Sequence, residues 1–272
     1  MLPSPEDIQI ILPIASFILL ALGFYRNIYG VIGYFVIMAS RMGLLFPELG
    51  VIRIELVAAC IVFISMYLKG DSISRIINQK NTIHNCVILL TLICLFSMIQ
   101  SVNISKSWEL GYSEYLKLFL FYLMIIGSIK VNYDLRIFIW AIVLITVWIA
   151  YEPVVNYFSG IFVDYDYGPV ALGRIGFAAG HVALANTLCQ AIPITYFGIR
   201  YQNGKFAKIT LLLALVFIVS GVVFSKSRGG FIGLIAVALG IIYFAENRIK
   251  TTLIIALIFI ITLPFLGKDY LD

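Results

Sequence analysis

Ser225-Lys226-Ser227-Arg228-Gly229-Gly230 sets two cations, two hydroxyls and two glycines between apolar runs of membrane length, Ile209 to Phe224 and Phe231 to Phe244. A cation at the edge of hydrocarbon must reach headgroups or a wet cavity, which makes it a functional candidate by default. The chemistry of the group points to phosphate. A guanidinium presents a planar fork to phosphate oxygens, an ammonium adds a point charge, and glycines let backbone come close to a ligand. The same six residues would also serve as a tight turn whose cations meet lipid phosphates.

Further candidates lie upstream. The irregular stretch from Tyr151 to Gly180 carries Tyr157, Phe158, Phe162, Tyr165 and Tyr167 with Asp164 and Asp166. These aromatics read as an interfacial belt or as a platform on which sugar rings stack while carboxylates accept hydroxyl hydrogen bonds. A divalent ion on Asp164 and Asp166 would use hard oxygen ligands, but no further carboxylates cluster there, so no metal is assigned. His181 sits at the mouth of the next apolar segment and reads as a structural or substrate-contacting residue. Asn186 and Gln190, one helical turn apart, are expected to satisfy each other or a neighbouring helix.

The Ser-Arg-Gly-Gly that opens the apolar helix from Ser227 to Leu239 resembles a signature of the O-antigen ligase and polysaccharide polymerase family of bacterial membrane proteins. Upstream, Arg174-Ile175-Gly176-Phe177, followed by Asn186 and an apolar run to Pro193, is similar to that family's other arginine motif. The likeness covers the motif region 173–244, with the rest of the chain matching only in hydropathy. It implies a GT-C-like fold and a glycosyltransferase that moves a glycan from undecaprenyl pyrophosphate to a lipid, glycan or protein acceptor. It also implies catalytic roles for Arg174 and Arg228 as diphosphate clamps, with Lys226 a third cation, Asn186 on the helix next to the site and no cofactor; His181, Asp164 and Asp166 are read as further substrate contacts from their residue types and places. The family's general base is a histidine in a large later loop that is not found here. The chain is therefore expected to be the amino-terminal part of a longer protein, and His181 is not assigned that role.

The elements that must position these residues are apolar. The chain has 272 residues, 62% of them hydrophobic and 12% charged, with a mean hydropathy of +1.03. That composition excludes a water-soluble domain. The expectation is an all-α polytopic bundle forming one transmembrane domain over 1–272. About ten spans are read, near 8–24, 28–46, 51–68, 83–102, 112–129, 135–151, 180–199, 207–224, 231–245 and 251–266. The second is the weakest because Arg41 interrupts it. Cys60, Cys86, Cys94 and Cys189 lie in apolar segments without metal or disulfide spacing. Net charge of +5 bears on orientation, and no nucleic-acid partner is implied.

Taking loops alternately, one side receives Arg26, Lys69, Arg75, Lys80, Lys130, Arg136, Arg200, Lys205, Lys208, Arg248 and Lys250. The other receives Arg41, Arg53, Lys106, Lys117, Arg174, Lys226, Arg228 and Lys268, with most of the acids. The positive-inside rule makes the first side cytoplasmic and the motif arginines extracytoplasmic, and the resemblance implies a multi-pass protein of the cell inner membrane. A transporter or flippase for lipid-linked sugars, or a noncatalytic scaffold, would share these features. Transport would favour inverted repeats and charges at the midplane, and neither is evident.

Overall fold

The computed structural model describes the backbone of residues 5–40, 42, 46–79, 81–110, 115–161, 163–165, 168–170 and 174–262. Side chains are described throughout these ranges except at 5–12, 47, 71, 109–110, 163–165, 168–170, 174–179, 258–259 and 261–262. The chain divides into two compact units, Met1–Phe138 and Ile139–Asp272.

Unit 1 is built around a helix with almost no polar face. α1 (Pro5–Gly23) turns into α2 (Asn27–Ala39), a helix of only 13 residues that buries Ile28, Val31, Ile32, Tyr34, Val36 and Ile37. Such all-round burial needs close neighbours, and glycine supplies them. A β-carbon on Gly23 would lie 2.8 Å from the Gly30 α-carbon, so the two backbones meet with nothing between them. Against this pair lie α4 (Ile54–Leu68) and α8 (Leu116–Ser128), with α3 (Pro47–Val51) packed on α4 and α5 (Asp71–Ile77) on α4 and α8. Phe121 of α8 stacks on Phe35 of α2 with centroids 5.3 Å apart.

α6 (Thr82–Ile99) and α7 (Ile104–Leu110) precede α8 in the chain. On α6, Ile83, Leu89, Leu92, Ile93, Phe96 and Ile99 are exposed, and His84, buried against the Tyr122 hydroxyl at 3.3 Å, is the exception. A helix apolar on every side and uncovered by protein needs hydrocarbon around it.

Polar groups in unit 1 gather at its ends. At one end the Ser65 hydroxyl and the Lys69 ammonium both donate to the Gly23 carbonyl, at 2.8 and 3.1 Å. Asn27 donates to the Ser72 hydroxyl at 2.7 Å, and Arg75 to the Ile129 carbonyl at 2.8 Å. Burial, with Lys130 nearby, lowers the Lys69 ammonium below its ordinary pKa. Asp134 is buried here and accepts from the amides of Lys130 and Val131, at 3.0 and 3.2 Å. Its other oxygen lies 2.8 Å from Arg26 off the hydrogen-bonding direction, so that contact is an ion pair. At the other end Lys117 pairs with Glu55.

α9 (Asn132–Phe158) leads into unit 2. A short antiparallel pair follows, β1 (Val163–Tyr165) with β2 (Gly168–Val170), in the register Val163 to Val170 and Tyr165 to Gly168. The stretch read as irregular is therefore helical at both ends with a hairpin between. α10 (Arg174–Tyr201), α11 (Lys205–Phe224), α12 (Arg228–Phe244) and α13 (Arg248–Thr262) complete the unit.

Gly221 of α11 admits Leu188 of α10 and Ala150 of α9, each within about 3 Å of where its β-carbon would stand. At the far end of this unit Arg200 pairs with Glu246, and the Tyr196 hydroxyl meets that of Thr251 at 2.9 Å.

Among the described residues four helical segments are long and apolar enough to cross a membrane: Thr82–Ile99, Asn132–Phe158, Gly180–Tyr201 and Lys205–Phe224. Five shorter apolar helices accompany them, Pro13–Gly23, Asn27–Ala39, Ile54–Leu68, Leu116–Ser128 and Arg228–Phe244. The expected segment 28–46 corresponds to α2, which ends at Ala39 before Arg41.

Candidate functional site

The cation-bearing turn is fixed by its own serines. α11 ends at Phe224, where the Ser225 amide bonds the Gly221 carbonyl at 3.2 Å and the Ser225 hydroxyl donates to the Val222 carbonyl at 2.6 Å. The chain then reverses through Lys226, whose φ of 46° lies in the left-handed region that side chains with a β-carbon rarely enter. Ser227, extended at φ −83° and ψ 115°, caps α12 by accepting from the Gly230 amide at 3.1 Å.

This alternation sorts the side chains. Both serines are fully buried, while Lys226 is half-buried and Arg228 exposed at the first position of the helix. The hydroxyls hold the backbone, and Arg228 is presented outward. The helix start adds the partial positive charge of its free amides to theirs.

The two glycines do different things. A β-carbon on Gly230 would overlap that of Ala185 on α10, and the Cys189 thiol donates to the Gly230 carbonyl at 3.4 Å. A β-carbon on Gly229 would meet nothing closer than Val182, at 3.8 Å. Gly230 is therefore a packing residue, and Gly229 has room for a methyl group.

These contacts fix the direction of α10. Val182 and Ala185 face Gly229 and Gly230, and Cys189 lies 3.6 Å from the β-carbon position of Gly233, so the two helices run parallel. Both begin at the same end of unit 2. Gly180, at φ 81° and ψ 159°, breaks α10 there and starts the apolar segment to Tyr201. His181 follows it, half-buried and level with the Ser227–Gly230 turn.

Of the residues expected to form the site, Lys226, Arg228 and His181 thus come together at one end of unit 2. Asn186 lies on α10 about 9 Å further along, exposed, and bonds neither to Gln190 nor to any described residue. Arg174 opens α10 and Asp164 lies in β1, with the side chains of both outside the described residues. Asp166 also lies outside the described residues.

The arrangement can bind an anion with a planar cation, a point charge and backbone amides, beside an apolar helix face. Sequence reasoning did not single out Ser227 as a cap or Ala185 as the partner of Gly230. A serine directly before an apolar run was the available signal for the first.

The fold and turn define a helical chain with spans long and apolar enough for a membrane and paired cations at one end of its second unit. No protein-family model, curated protein or solved structure matches it.

Proposed function

We propose that the chain is a membrane glycosyltransferase of the O-antigen ligase or polysaccharide polymerase type. It moves a glycan from undecaprenyl pyrophosphate to an acceptor at the extracytoplasmic face of the inner membrane. In this reading the shorter apolar helices cross the bilayer with the four long ones, in a bundle of about ten spans. The acceptor hydroxyl oxygen attacks the anomeric carbon as its proton passes to a general base, the bond from that carbon to the diphosphate oxygen breaks, and its electron pair leaves with the diphosphate as negative charge. Cations fixed beforehand around that charge lower the barrier without a metal.

The observation that carries this reading is the Ser227-capped start of α12. It spends both hydroxyls and Gly230 on structure, yet leaves Arg228 exposed beside Lys226 and His181. Arg174 supplies the second clamp, from the same helix whose apolar segment begins at Gly180. The ion pairs Arg26–Asp134, Lys117–Glu55 and Arg200–Glu246 lie at helix ends, which favours a lipid-phosphate site over a transport path through the midplane.

Arg228→Ala or Arg174→Ala, in the cell that makes this protein, should abolish the surface polysaccharide while lipid-linked precursor accumulates. Normal polymer from both variants would refute the assignment.

A further inference from the structure

α10 buries Leu184, Ala185, Leu188, Cys189 and Ile192 on one side, but its other side carries two carboxamides. Asn186 and Gln190 lie one turn apart on the segment Gly180–Tyr201, about 9 and 15 Å from its start. Both are exposed, and among the described residues neither has a hydrogen-bond partner.

The exposed hydroxyls of these helices behave differently. Thr187 bonds back to the Ala183 carbonyl at 2.9 Å, Thr210 to Phe206 at 3.0 Å and Ser220 to Val216 at 2.9 Å. A hydroxyl can fold back on its own helix in this way. A carboxamide carries two donors and an acceptor, and its own helix offers too few groups at that distance. Left in hydrocarbon, each unpaired amide costs several kcal/mol.

We propose that a second copy of this chain docks on the Asn186 and Gln190 face of α10, closing the carboxamides of the two copies on each other. The occupant follows from the chemistry. A carboxamide complements another carboxamide, donor to acceptor both ways. Two copies inserted in the same sense hold the same residues at the same depth, so Asn186 and Gln190 of one face those of the other across a two-fold axis. Lipid chains offer no such partner.

The full-length chain, carrying donor or acceptor dyes and reconstituted in phosphatidylethanolamine and phosphatidylglycerol vesicles, should show energy transfer that falls as lipid dilutes the protein. Combining Asn186→Leu with Gln190→Leu should raise the apparent dissociation constant at least about tenfold, while Asn186→Gln keeps the association. Gln190→Cys, in a chain whose four native cysteines are replaced by alanine, should form an oxidised dimer. This arm tests the contact even if the double leucine variant fails to fold.

A chain that stays monomeric at every dilution would overturn the proposal. So would a dimer indifferent to the leucines, or a Gln190→Cys chain that forms no disulfide-linked dimer on oxidation.

Discussion

Gly229 and Gly230 are neighbours in the chain with opposite tolerances. Gly230→Ala forces its new methyl into that of Ala185, on a backbone that cannot move without loosening the Ser227 cap. The expected cost is about 1 to 3 kcal/mol, read as a lower melting temperature in detergent. Gly229→Ala meets only Val182 at ordinary contact distance and should leave that temperature unchanged or higher. Equal effects would show that the α10–α12 contact is not as described. At this scale the sequence was partly legible. Lys226 and Arg228 stood out because charge is rare in so apolar a chain. What each glycine was for could not be read, because Ala185 lies forty-five residues away and only the fold brings it to Gly230.

α9 begins with a turn that depends on one carboxylate. Asp134 accepts from two amides at the start of α9 and pairs with Arg26 at the start of α2, so it ties two hairpins of unit 1 together. Asp134→Ala leaves two amides without their acceptor and the half-buried Arg26 guanidinium without its ion pair, and should destabilise the protein by about 2 kcal/mol or more, seen as unfolding at lower denaturant. Asp134→Asn keeps one acceptor oxygen and should cost less; an Asp134→Ala variant as stable as the parent would contradict the role.

Elements were legible where the solvent decides them. α6, α11 and the Gly180–Tyr201 segment of α10 begin and end within a few residues of the expected segments because a long apolar run in a membrane can only be a helix. The expected segment 28–46 is matched by α2 only as far as Ala39, where Ser40 closes the helix with its amide and hydroxyl on the Val36 carbonyl, a local cap that hydropathy does not record. The hairpin of β1 and β2 was hidden because Val163-Asp164-Tyr165 reads equally as interfacial aromatic loop.

For the molecule as a whole, the central claim is that the turn between α11 and α12 lies outside the cell and grips a lipid diphosphate. Its placement is tested by labelling. Gly229→Cys, in a chain without native cysteines, should react with an impermeant maleimide on intact cells, whereas Asn203→Cys at the other end of α11 should react only after permeabilisation. The reverse pattern would put the turn on the wrong face. The most direct test is binding of undecaprenyl pyrophosphate to the purified full-length chain in lipid nanodiscs. Arg228→Ala should weaken binding about tenfold or more, the share of a charge-assisted contact. Lys226→Gly, which relieves the left-handed backbone at φ 46°, should also weaken binding while leaving the protein at least as stable. Undiminished affinity in both variants would contradict the claim.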